Sequence, residues 1–428
     1  MAMKTLPELL EQTRQCMKCG NCMGECPVYQ ETLEEPLVAR GKLGLIESLG
    51  DGDIELNQRV GKILAQCLLC GTCAENCPNG VRADEIIRDA RALLVDEKGL
   101  SLTKKAIFRL LETEHLLPML VKGGEKFQNL FLKKLPDDSG LRLRFPLPYL
   151  DRRRFIPPLA KEFFLDRHSG WIRAEKEIMR VGLFVGCVGN YLFPRIGEAA
   201  LRLFPSNGVS LYIPNDQACC GLPAYGSGDE ATPQSLARRN IEAFPLEELD
   251  EIIAPCASCA AMLKLDYPRL FPESDPLAPK VRAFAAKVSD SSRFLWKLME
   301  KVAPPAREGK KEGRILRVTY HDPCHLRRKL GVFQEPRNLL KAQEGIEYVE
   351  MAAAHRCCGQ GGSFNIAHYD LSLAILDRKM KAIEDTAADV VATACSGCLL
   401  QLMDGVHQKG RKIDVRHLLE MVGQATLL

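Results

Sequence analysis

Two short stretches decide the fold of the first part of the chain: residues 16–27 read CMKCGNCMGECP, and residues 67–78 read CLLCGTCAENCP. Both have the spacing Cys-x2-Cys-x2-Cys-x3-Cys-Pro. Three closely spaced thiolates on a turning loop can hold three corners of a cubane cluster, and the proline after the fourth cysteine redirects the chain. Zinc, the alternative, needs only four ligands and would not require the third cysteine and the proline twice. The spacing therefore indicates two iron–sulfur clusters.

The same run of cysteines resembles that of bacterial two-cluster ferredoxins, in which the fourth cysteine of each run ligates the other cluster. We therefore predict two [4Fe-4S] clusters and a small helical ferredoxin-like domain over residues 1–100, closed by a helix that carries Ile86 and Ala90. The predicted ligands are Cys16, Cys19, Cys22 and Cys77 for the first cluster, and Cys67, Cys70, Cys73 and Cys26 for the second.

The remaining ten cysteines form two groups with the same internal order: a single cysteine, a Cys-Cys-Gly triplet and a Cys-x2-Cys pair. Equivalent cysteines of the two groups lie 137 to 139 residues apart. So regular a repeat indicates an internal duplication. The first group is Cys187, Cys219, Cys220, Cys256 and Cys259, and the second is Cys324, Cys357, Cys358, Cys395 and Cys398.

Each repeat has the pattern of an α/β domain. The short apolar runs at 180–187, 251–254, 314–321 and 390–393 are predicted buried strands. Apolar residues at helical spacing follow them, as at Ile196, Ala199 and Leu203. The cysteines come just after the strands, at the edge where open α/β sheets place their sites. The predicted fold class is thus a helical α+β ferredoxin-like part followed by a duplicated α/β cysteine-rich domain.

Each group of five cysteines is a candidate metal centre. Five thiolates exceed the needs of an ordinary zinc site, which favours an iron–sulfur centre in each repeat. A structural zinc ion held by three or four of the cysteines is the alternative. Buried inert thiols would not repeat with this spacing. We expect one or two further iron–sulfur or zinc centres here.

The complete pattern resembles a known family. The two Cys-Cys-Gly groups look like the cysteine-rich CCG domains of heterodisulfide reductase subunits, and two ferredoxin motifs followed by two CCG domains are similar to the iron–sulfur subunit of glycolate oxidase. Lactate-utilisation and anaerobic glycerol-3-phosphate dehydrogenase iron–sulfur subunits are also similar. The segment RGKLGLIESL at 40–49 and CCGQGGSF at 357–364 look most like the glycolate oxidase subunit.

This resemblance implies an electron-transfer subunit of a glycolate or lactate dehydrogenase complex. No glycine-rich dinucleotide motif opens a helix after a strand, so we expect FAD on a partner, a 2-hydroxy-acid dehydrogenase subunit. Two [4Fe-4S] clusters and the CCG centres would pass electrons to a quinone or another acceptor, and the chain alone would not oxidise the acid. The alternative is a catalytic subunit that reduces a disulfide at a CCG centre, as in heterodisulfide reductase. A non-enzymatic scaffold with structural zinc is a third hypothesis.

Composition sets further limits. The 428 residues carry 58 basic and 55 acidic side chains, a net charge of +3 that is too balanced to indicate nucleic-acid binding. Eighteen cysteines without a visible secretory signal favour metal or redox chemistry over disulfides. No run of 18 apolar residues occurs. We expect a cytoplasmic protein, with peripheral attachment to the inner face of the membrane as an option.

The predicted domains follow from these motifs: 1–100, a connector at 101–178, a first CCG domain at 179–302, a linker at 303–313 and a second CCG domain at 314–428. The connector has 16 basic and 10 acidic residues and includes the run 152–154 of three arginines. It is either a solvated surface or a docking face for an acidic partner or a membrane. His321, His325 and His355 lie close to cysteines in sequence; we expect them either to relay protons or to cap a helix or orient a metal ligand.

Overall fold

The structure is a computed structural model that describes residues 5–113, 119, 123, 132–134, 141–143, 151–301 and 315–422. The predicted linker at 303–313 and much of the predicted connector lie outside the described residues.

The N-terminal part is helical. Left-handed glycines, Gly20 at φ 88° and Gly71 at φ 72°, precede short helices in the two cysteine loops, a backbone conformation that only glycine adopts without strain. Pro27 begins the next helix, where its missing N–H costs no hydrogen bond. The helices are α1 (Leu6–Thr13), α2 (Asn21–Glu25), α3 (Pro27–Thr32), α4 (Ala39–Gly50), α5 (Gln58–Ala65), α6 (Thr72–Glu75), α7 (Ala83–Lys98) and α8 (Leu102–Glu112), with a 3₁₀ turn at Glu35–Leu37.

Helix α7 closes this part as the sequence predicts. Ile86 and Ala90 are buried against Leu9 and Leu43 of helices α1 and α4. Strands β1 (Leu132–Lys134) and β2 (Leu141–Leu143) then form an antiparallel pair.

The first cysteine-rich copy is built on a five-stranded sheet. Its strands are β3 (Gly170–Ile172), β4 (Met179–Leu183), β5 (Val209–Ile213), β6 (Glu251–Ala254) and β7 (Val288–Asp290). Their order is β3-β5-β4-β6-β7, parallel except for β3. The helices are α9 (Phe164–Arg167), α10 (Gly186–Tyr191), α11 (Pro194–Leu203), α12 (Leu222–Tyr225), α13 (Ala231–Ala243), α14 (Ala257–Ala261), α15 (Tyr267–Leu270), α16 (Ala278–Lys287) and α17 (Ser291–Lys301), with 3₁₀ turns at Pro205–Asn207 and Leu246–Glu248 and a π-helical turn at Met262–Asp266.

The second copy has a four-stranded parallel sheet in the order β11-β10-β8-β9. Its strands are β8 (Leu316–Tyr320), β9 (Ile346–Tyr348), β10 (Val390–Thr393) and β11 (Asp414–His417). The helices are α18 (Gln334–Lys341), α19 (Ser363–Ala367), α20 (Tyr369–Glu384), α21 (Ser396–Gln408) and α22 (Leu418–Met421), with a π-helical turn at His325–Lys329.

The two sheets share one topology. Strands β5-β4-β6-β7 of the first copy correspond to β9-β8-β10-β11 of the second. In each copy the first of these strands in sequence is central, the next lies on one side of it, and the remaining two lie on the other side. The crevice where the strand order reverses, outside the carboxyl ends of the strands, is where doubly wound folds bind ligands. The apolar side chains of both sheets form one continuous core, which includes Val181, Ile253, Val318 and Val391. The predicted α/β duplication is confirmed.

The four predicted strands are all observed, two of them with different bounds; β8 (Leu316–Tyr320) is shorter than the predicted 314–321. Strands β6 and β10 have the predicted bounds, 251–254 and 390–393. The predicted strand at 180–187 ends at Leu183, because Gly186 takes a left-handed conformation at φ 74° and opens helix α10. Cys187 therefore lies on a helix rather than in the strand.

Two arginines of the connector contact the second copy. The Arg154 guanidinium lies 4.3 Å from the centre of the Tyr369 ring and donates a hydrogen bond of 2.9 Å to the backbone carbonyl of Asn365. Arg153 pairs with Asp151 and with Asp370. These two charges attach the connector to the chain's own fold.

Candidate metal centres

The predicted first cluster site is a set of four cysteines at the surface of the helical part. Cys16 ends the turn after helix α1, Cys19 is exposed, and Cys22 and Cys77 are half-buried. Burial raises the pKa of the Cys22 thiol, and the nearby Cys16 and Cys19 thiolates add to this, so these three sulfur atoms share one environment. The backbone N–H of Val81 donates to the Cys77 sulfur atom at 3.4 Å. This site is the more accessible of the two.

None of the four cysteines of the predicted second cluster site is exposed. Burial raises the pKa of Cys26 to about 12, and the Cys70 and Cys67 thiolates act in the same direction. Burial likewise raises the pKa of Cys73, which lies in the field of Cys67, Cys70 and Cys26. Cys26 therefore lies beside the cysteines of the other run. The buried ammonium group of Lys42 faces the same thiols, and desolvation lowers its pKa.

All ten cysteines of the two cysteine-rich copies line one cavity, which we call the shared cavity. It encloses about 1140 Å³ of empty space, part of it open to solvent. The cavity lies at the carboxyl ends of the central strands of both sheets, because Cys187 and Cys256 follow β4 and β6, and Cys324 and Cys395 follow β8 and β10. The sequence predicts two separate groups of ligands; the fold brings them to a common space.

The two copies meet at equivalent cysteines. The sulfur atoms of Cys256 and Cys395 are 3.8 Å apart, and the N–H of Ala257 donates to the carbonyl of Ala394 at 2.9 Å. Two serines cross this junction: Ser396 donates to the Cys256 sulfur atom at 3.1 Å, and the hydroxyl of Ser258 lies 3.2 Å from the sulfur atom of Cys395. Polar hydroxyls thus stabilise the thiols where the copies join.

Within each copy neighbouring thiols shift one another's pKa values. The sulfur atoms of Cys187 and Cys219 are 3.6 Å apart. Hydrogen bonds from Cys219 and Cys259 lower the pKa of Cys220 to about 6. In the second copy, Cys357 and then Cys398 lower the pKa of Cys358 well below its usual value. Each copy therefore offers thiolates near neutral pH, and the thiolate is the form that binds metals.

The glycine after each Cys-Cys pair permits a close turn. Gly221 and Gly359 have φ of 85° and 92°, and a Cβ at these positions would lie 2.9 Å from Cα of Pro233 and 2.7 Å from the carbonyl oxygen of Ser372. Their N–H groups donate to the sulfur atoms of Cys219 and Cys357 at 3.5 Å and 3.4 Å. Glycine therefore brings a backbone donor to one thiol of each copy.

The second cluster site is in contact with the second copy. Cys70 packs against the buried group that contains Cys357, and the Cys357 thiol lowers the pKa of Cys70 to about 7. Around them Leu68, Val28 and Phe364 form a small buried apolar group. A continuous series of thiols thus runs from the helical part into the shared cavity.

Two arginines hold this junction together. The nearly buried Arg328 pairs with Glu75 at 2.7 Å and donates to the carbonyl of His355 at 3.0 Å. Arg91 donates to the carbonyl oxygen atoms of Leu64 and Cys67, each at 2.7 Å, and to that of Gly226 in the first copy at 2.6 Å. The loop of the second cluster site is therefore tied to both copies. Sequence reasoning missed these arginines, since no local motif marks them.

The histidines beside cysteines differ in their surroundings. The Nδ1 atom of His325 lies 3.3 Å from the Ser258 hydroxyl oxygen and 3.9 Å from the Cys324 sulfur atom. His325 also lines the shared cavity. The pKa of Cys324 is well below its usual value, and the largest cause is the hydrogen bond from Cys357. Burial acts in the opposite direction, and the nearby His325 ring lowers the pKa further. Desolvation lowers the pKa of His355 itself. Only His321 and His325 reach the shared cavity among the described histidines.

The donor sets fit iron–sulfur centres. The ligand atoms offered are soft sulfur atoms, and backbone N–H groups of Leu69, Val81, Gly221 and Gly359 point at four of them. N–H donors to sulfur are a principal means by which proteins adjust such clusters. No hard oxygen-ligand set competes at these places among the residues described.

Comparisons with known proteins agree with this chemistry. The family described as 4Fe-4S dicluster domain matches residues 12–81, and the family described as cysteine-rich domain matches residues 181–264 and 318–403. The probable glycolate oxidase iron-sulfur subunit of Bacillus subtilis (strain 168) is 32% identical over 419 residues, which cover 96% of this chain and 93% of that protein. This chain belongs to the glycolate oxidase iron–sulfur subunit family.

Two other relatives are similar to this member of the glycolate oxidase iron–sulfur subunit family over different lengths of the chain. Lactate utilization protein A of Exiguobacterium sp. is 34% identical over 57% of this chain and 97% of its own length. A subunit of the dihydromethanophenazine:CoB–CoM heterodisulfide reductase of Methanosarcina acetivorans is 28% identical over 96% of this chain and 93% of its own length. The predicted family is confirmed, and the chain is an iron–sulfur subunit of an oxidoreductase. Across the described residues, none of the helices has both the length and the apolar character needed to cross a bilayer.

Proposed function

We propose that this chain is the electron-transfer subunit of a complex that oxidises a 2-hydroxy acid, glycolate or lactate. The observation that carries the proposal is the contact between Cys70 and Cys357, which joins the ferredoxin-like part to the second cysteine-rich copy. A relay needs such a junction, whereas two unrelated metal sites would not.

The proposed ligands are those predicted from the sequence. Iron–sulfur clusters accept and release single electrons when bound. The protein's own contribution is to hold the thiolates, to supply N–H donors and to keep water from the inner sites. The proposed sets are Cys16, Cys19, Cys22 and Cys77; Cys67, Cys70, Cys73 and Cys26; Cys187, Cys219, Cys220, Cys256 and Cys259; and Cys324, Cys357, Cys358, Cys395 and Cys398.

In this proposal a flavoprotein partner carries out the oxidation of the acid. Oxidation of a 2-hydroxy acid to the 2-oxo acid removes two electrons and two protons, as a hydride to the flavin and a proton to a base. We place the partner at the outer cluster site, because Cys19 is exposed and the neighbouring Met17 has 65% of its surface accessible. The acceptor of the electrons is a quinone or a redox protein, and a cytoplasmic location at the inner membrane face is part of the proposal.

A second function is favoured by the shared cavity. Ten thiols line a space that opens to solvent and is large enough for a small organic molecule. Reduction of a disulfide there, with two electrons and two protons giving two thiols, is the alternative function. The similarity to a heterodisulfide reductase subunit supports it.

A reconstitution experiment distinguishes the two functions. The chain, reconstituted anaerobically with iron and sulfide, is assayed with glycolate and lactate, alone and with the flavoprotein that co-purifies with it. We expect no oxidation by the chain alone, and reduction of its clusters by substrate when the flavoprotein is present. Turnover by the single chain without flavin would contradict the proposal, and rapid disulfide reduction by the prereduced chain would favour the alternative.

A further inference from the structure

His321 is a buried histidine whose ring makes no hydrogen bond to the part of the chain that the structure describes. Its side chain is 1% exposed, and neither ring nitrogen atom has a hydrogen-bond partner among the described residues. A buried polar group left without a hydrogen bond loses its hydration without compensation, which destabilises the folded state. A histidine that served only to fill the core would therefore be a poor choice at this position.

The ring faces two thiols of the second copy. One ligand atom each from His321, Cys358 and Cys398 lie within 4.8 Å of one another, and all three residues are buried. His321 also lines the shared cavity. The distances between ligand atoms around one metal ion are of this order, given metal–sulfur bonds of about 2.3 Å and metal–nitrogen bonds of about 2.0 Å.

The first copy shows that the fold itself does not need a histidine here. The flanking stretches RVGLFVGC at 180–187 and RVTYHDPC at 317–324 align His321 with Phe184. Their backbones are equivalent, because the N–H of Phe184 donates to Ile253 and that of His321 donates to Ala392, each at 2.9 Å. Phe184 is fully buried in the apolar core. The repeated fold therefore accepts an apolar ring at this place.

A second difference between the copies lies in the equivalent helices α13 and α20. The buried Asn240 of the first copy is bonded to the carbonyl of Cys219 and to Tyr267, whereas Lys379 stands at the equivalent place in the second copy. Lys379 donates to the carbonyl oxygen atoms of Ala353 and Ala354, at 2.8 Å and 3.1 Å. A buried amine of the second copy therefore takes the place of a neutral amide in the first.

We propose that His321 supplies a ring nitrogen ligand to the metal centre held by Cys358 and Cys398, so that the two centres of the chain differ in their donor atoms. The inference rests on the proposed function, in which the second copy binds a metal centre. Centres in which histidine replaces cysteine have higher reduction potentials than all-thiolate ones. The second centre is then the more oxidising of the two, which suits it to accept electrons from the N-terminal cluster site that contacts it through Cys70 and Cys357.

The test is spectroscopic and uses the full chain. Protein with ¹⁵N-labelled histidine is reconstituted with iron and sulfide, poised across the accessible potential range, and examined by pulsed EPR at each potential. We expect a directly coordinated histidine nitrogen in the wild type and its loss in His321→Phe, which copies the residue of the first copy. The midpoint potential of the affected signal should shift to a lower value.

Two controls complete the design. His325→Phe changes the other histidine of the shared cavity and should keep the nitrogen coupling. His321→Asn is a smaller replacement that should lose the coupling even if the phenylalanine variant folds poorly. A wild type without coordinated histidine nitrogen at any potential, or coupling that survives in both His321 variants, would overturn the inference.

Metal analysis separates this outcome from failure of the proposed function. Replacing Cys324, Cys358 and Cys398 together by alanine leaves two cysteines in the second copy and should lower the metal content of the chain while the signals of the N-terminal clusters persist. If the iron and zinc contents of this variant equal those of the wild type, the second copy holds no centre and the proposed function fails there. If metal is lost in the variant but no histidine nitrogen is coordinated in the wild type, only the role of His321 is refuted.

Discussion

At the scale of single residues, the position of Cys26 has the clearest consequence. Cys26 belongs to the first cysteine run in sequence, yet the pKa of its thiol responds to Cys70 and Cys67 of the second run. The proline that follows begins helix α3 and turns the chain away from the first cluster site. One residue thus couples the two halves of the ferredoxin-like part.

Pairs of variants test this arrangement. If Cys26 and Cys67 serve the same cluster, Cys26→Ala together with Cys67→Ala should still leave one cubane, about four iron atoms, in the N-terminal part. Cys26→Ala together with Cys22→Ala should leave none. Iron analysis and EPR of the reduced proteins measure both. The opposite result, with a cluster retained only in the Cys22 pair, would place Cys26 with its own run.

At the scale of elements, the end of strand β7 carries a buried carboxyl group. Asp290 accepts hydrogen bonds from the N–H groups of Ser292 and Arg293 at 2.8 Å and 3.2 Å, and its other oxygen atom has no partner among the described residues. Burial raises the pKa of Asp290 from 3.8 to about 6. Folding therefore favours the protonated form, and the stabilisation is fully present below pH 3.8 and is lost as the pH rises through about 6.

Asp290→Asn should remove this pH dependence, since the amide keeps the accepting oxygen atom and cannot ionise. We expect the free energy of unfolding of the variant, relative to the wild type, to rise by about 1 kcal/mol between about pH 5 and about pH 8. Urea denaturation at the two pH values measures it. Asp275→Asn is the control: Asp275 has a lowered pKa, first because it accepts from the N–H of Leu277, and its effect should be constant over this range. A constant effect in both variants would contradict the prediction.

At the scale of the whole molecule, the ferredoxin-like part packs directly on both cysteine-rich copies. Arg91 connects it to the first copy by a hydrogen bond to the backbone carbonyl of Gly226, and Glu75 connects it to the second copy by an ion pair with Arg328. Gly228 of the first copy has φ of 90°, and a Cβ there would lie 2.3 Å from the carbonyl oxygen of Arg91 in helix α7. The backbones of the two parts therefore touch at this glycine.

Gly228→Ala should force helix α7 away from the first copy. We expect a loss of about 2–5 kcal/mol in the free energy of unfolding, from the left-handed backbone together with overpacking. Gly345→Ala is the matched control, because Gly345 has φ of 72° and a Cβ added there would meet no atom within 4 Å; it should cost about 1 kcal/mol. Denaturant unfolding compares the two. Equal losses would show that the contact with helix α7 carries no strain.

The sequence by itself determined the chemistry and the repeat. The spacing of the cysteines indicates iron–sulfur centres, the interval of 137 to 139 residues indicates the duplication, and the strands predicted at 251–254 and 390–393 have their observed bounds. These features are local, because each depends on residue type and short-range periodicity. The ligand sets remain predictions until metal analysis tests them.

Only the tertiary structure decided how these parts meet. Cys256 and Cys395 are 139 residues apart in sequence and 3.8 Å apart in space, and Cys70 meets Cys357 across an even longer interval. In sequence His321 is one of several histidines beside cysteines, and the fold shows it to be buried, unpartnered among the described residues and directed at two thiols. Such contacts depend on which apolar faces pack together and on how the sheets are oriented. The spacing of residues along the chain does not specify these contacts, because they form only when the apolar faces of the two sheets pack into one core.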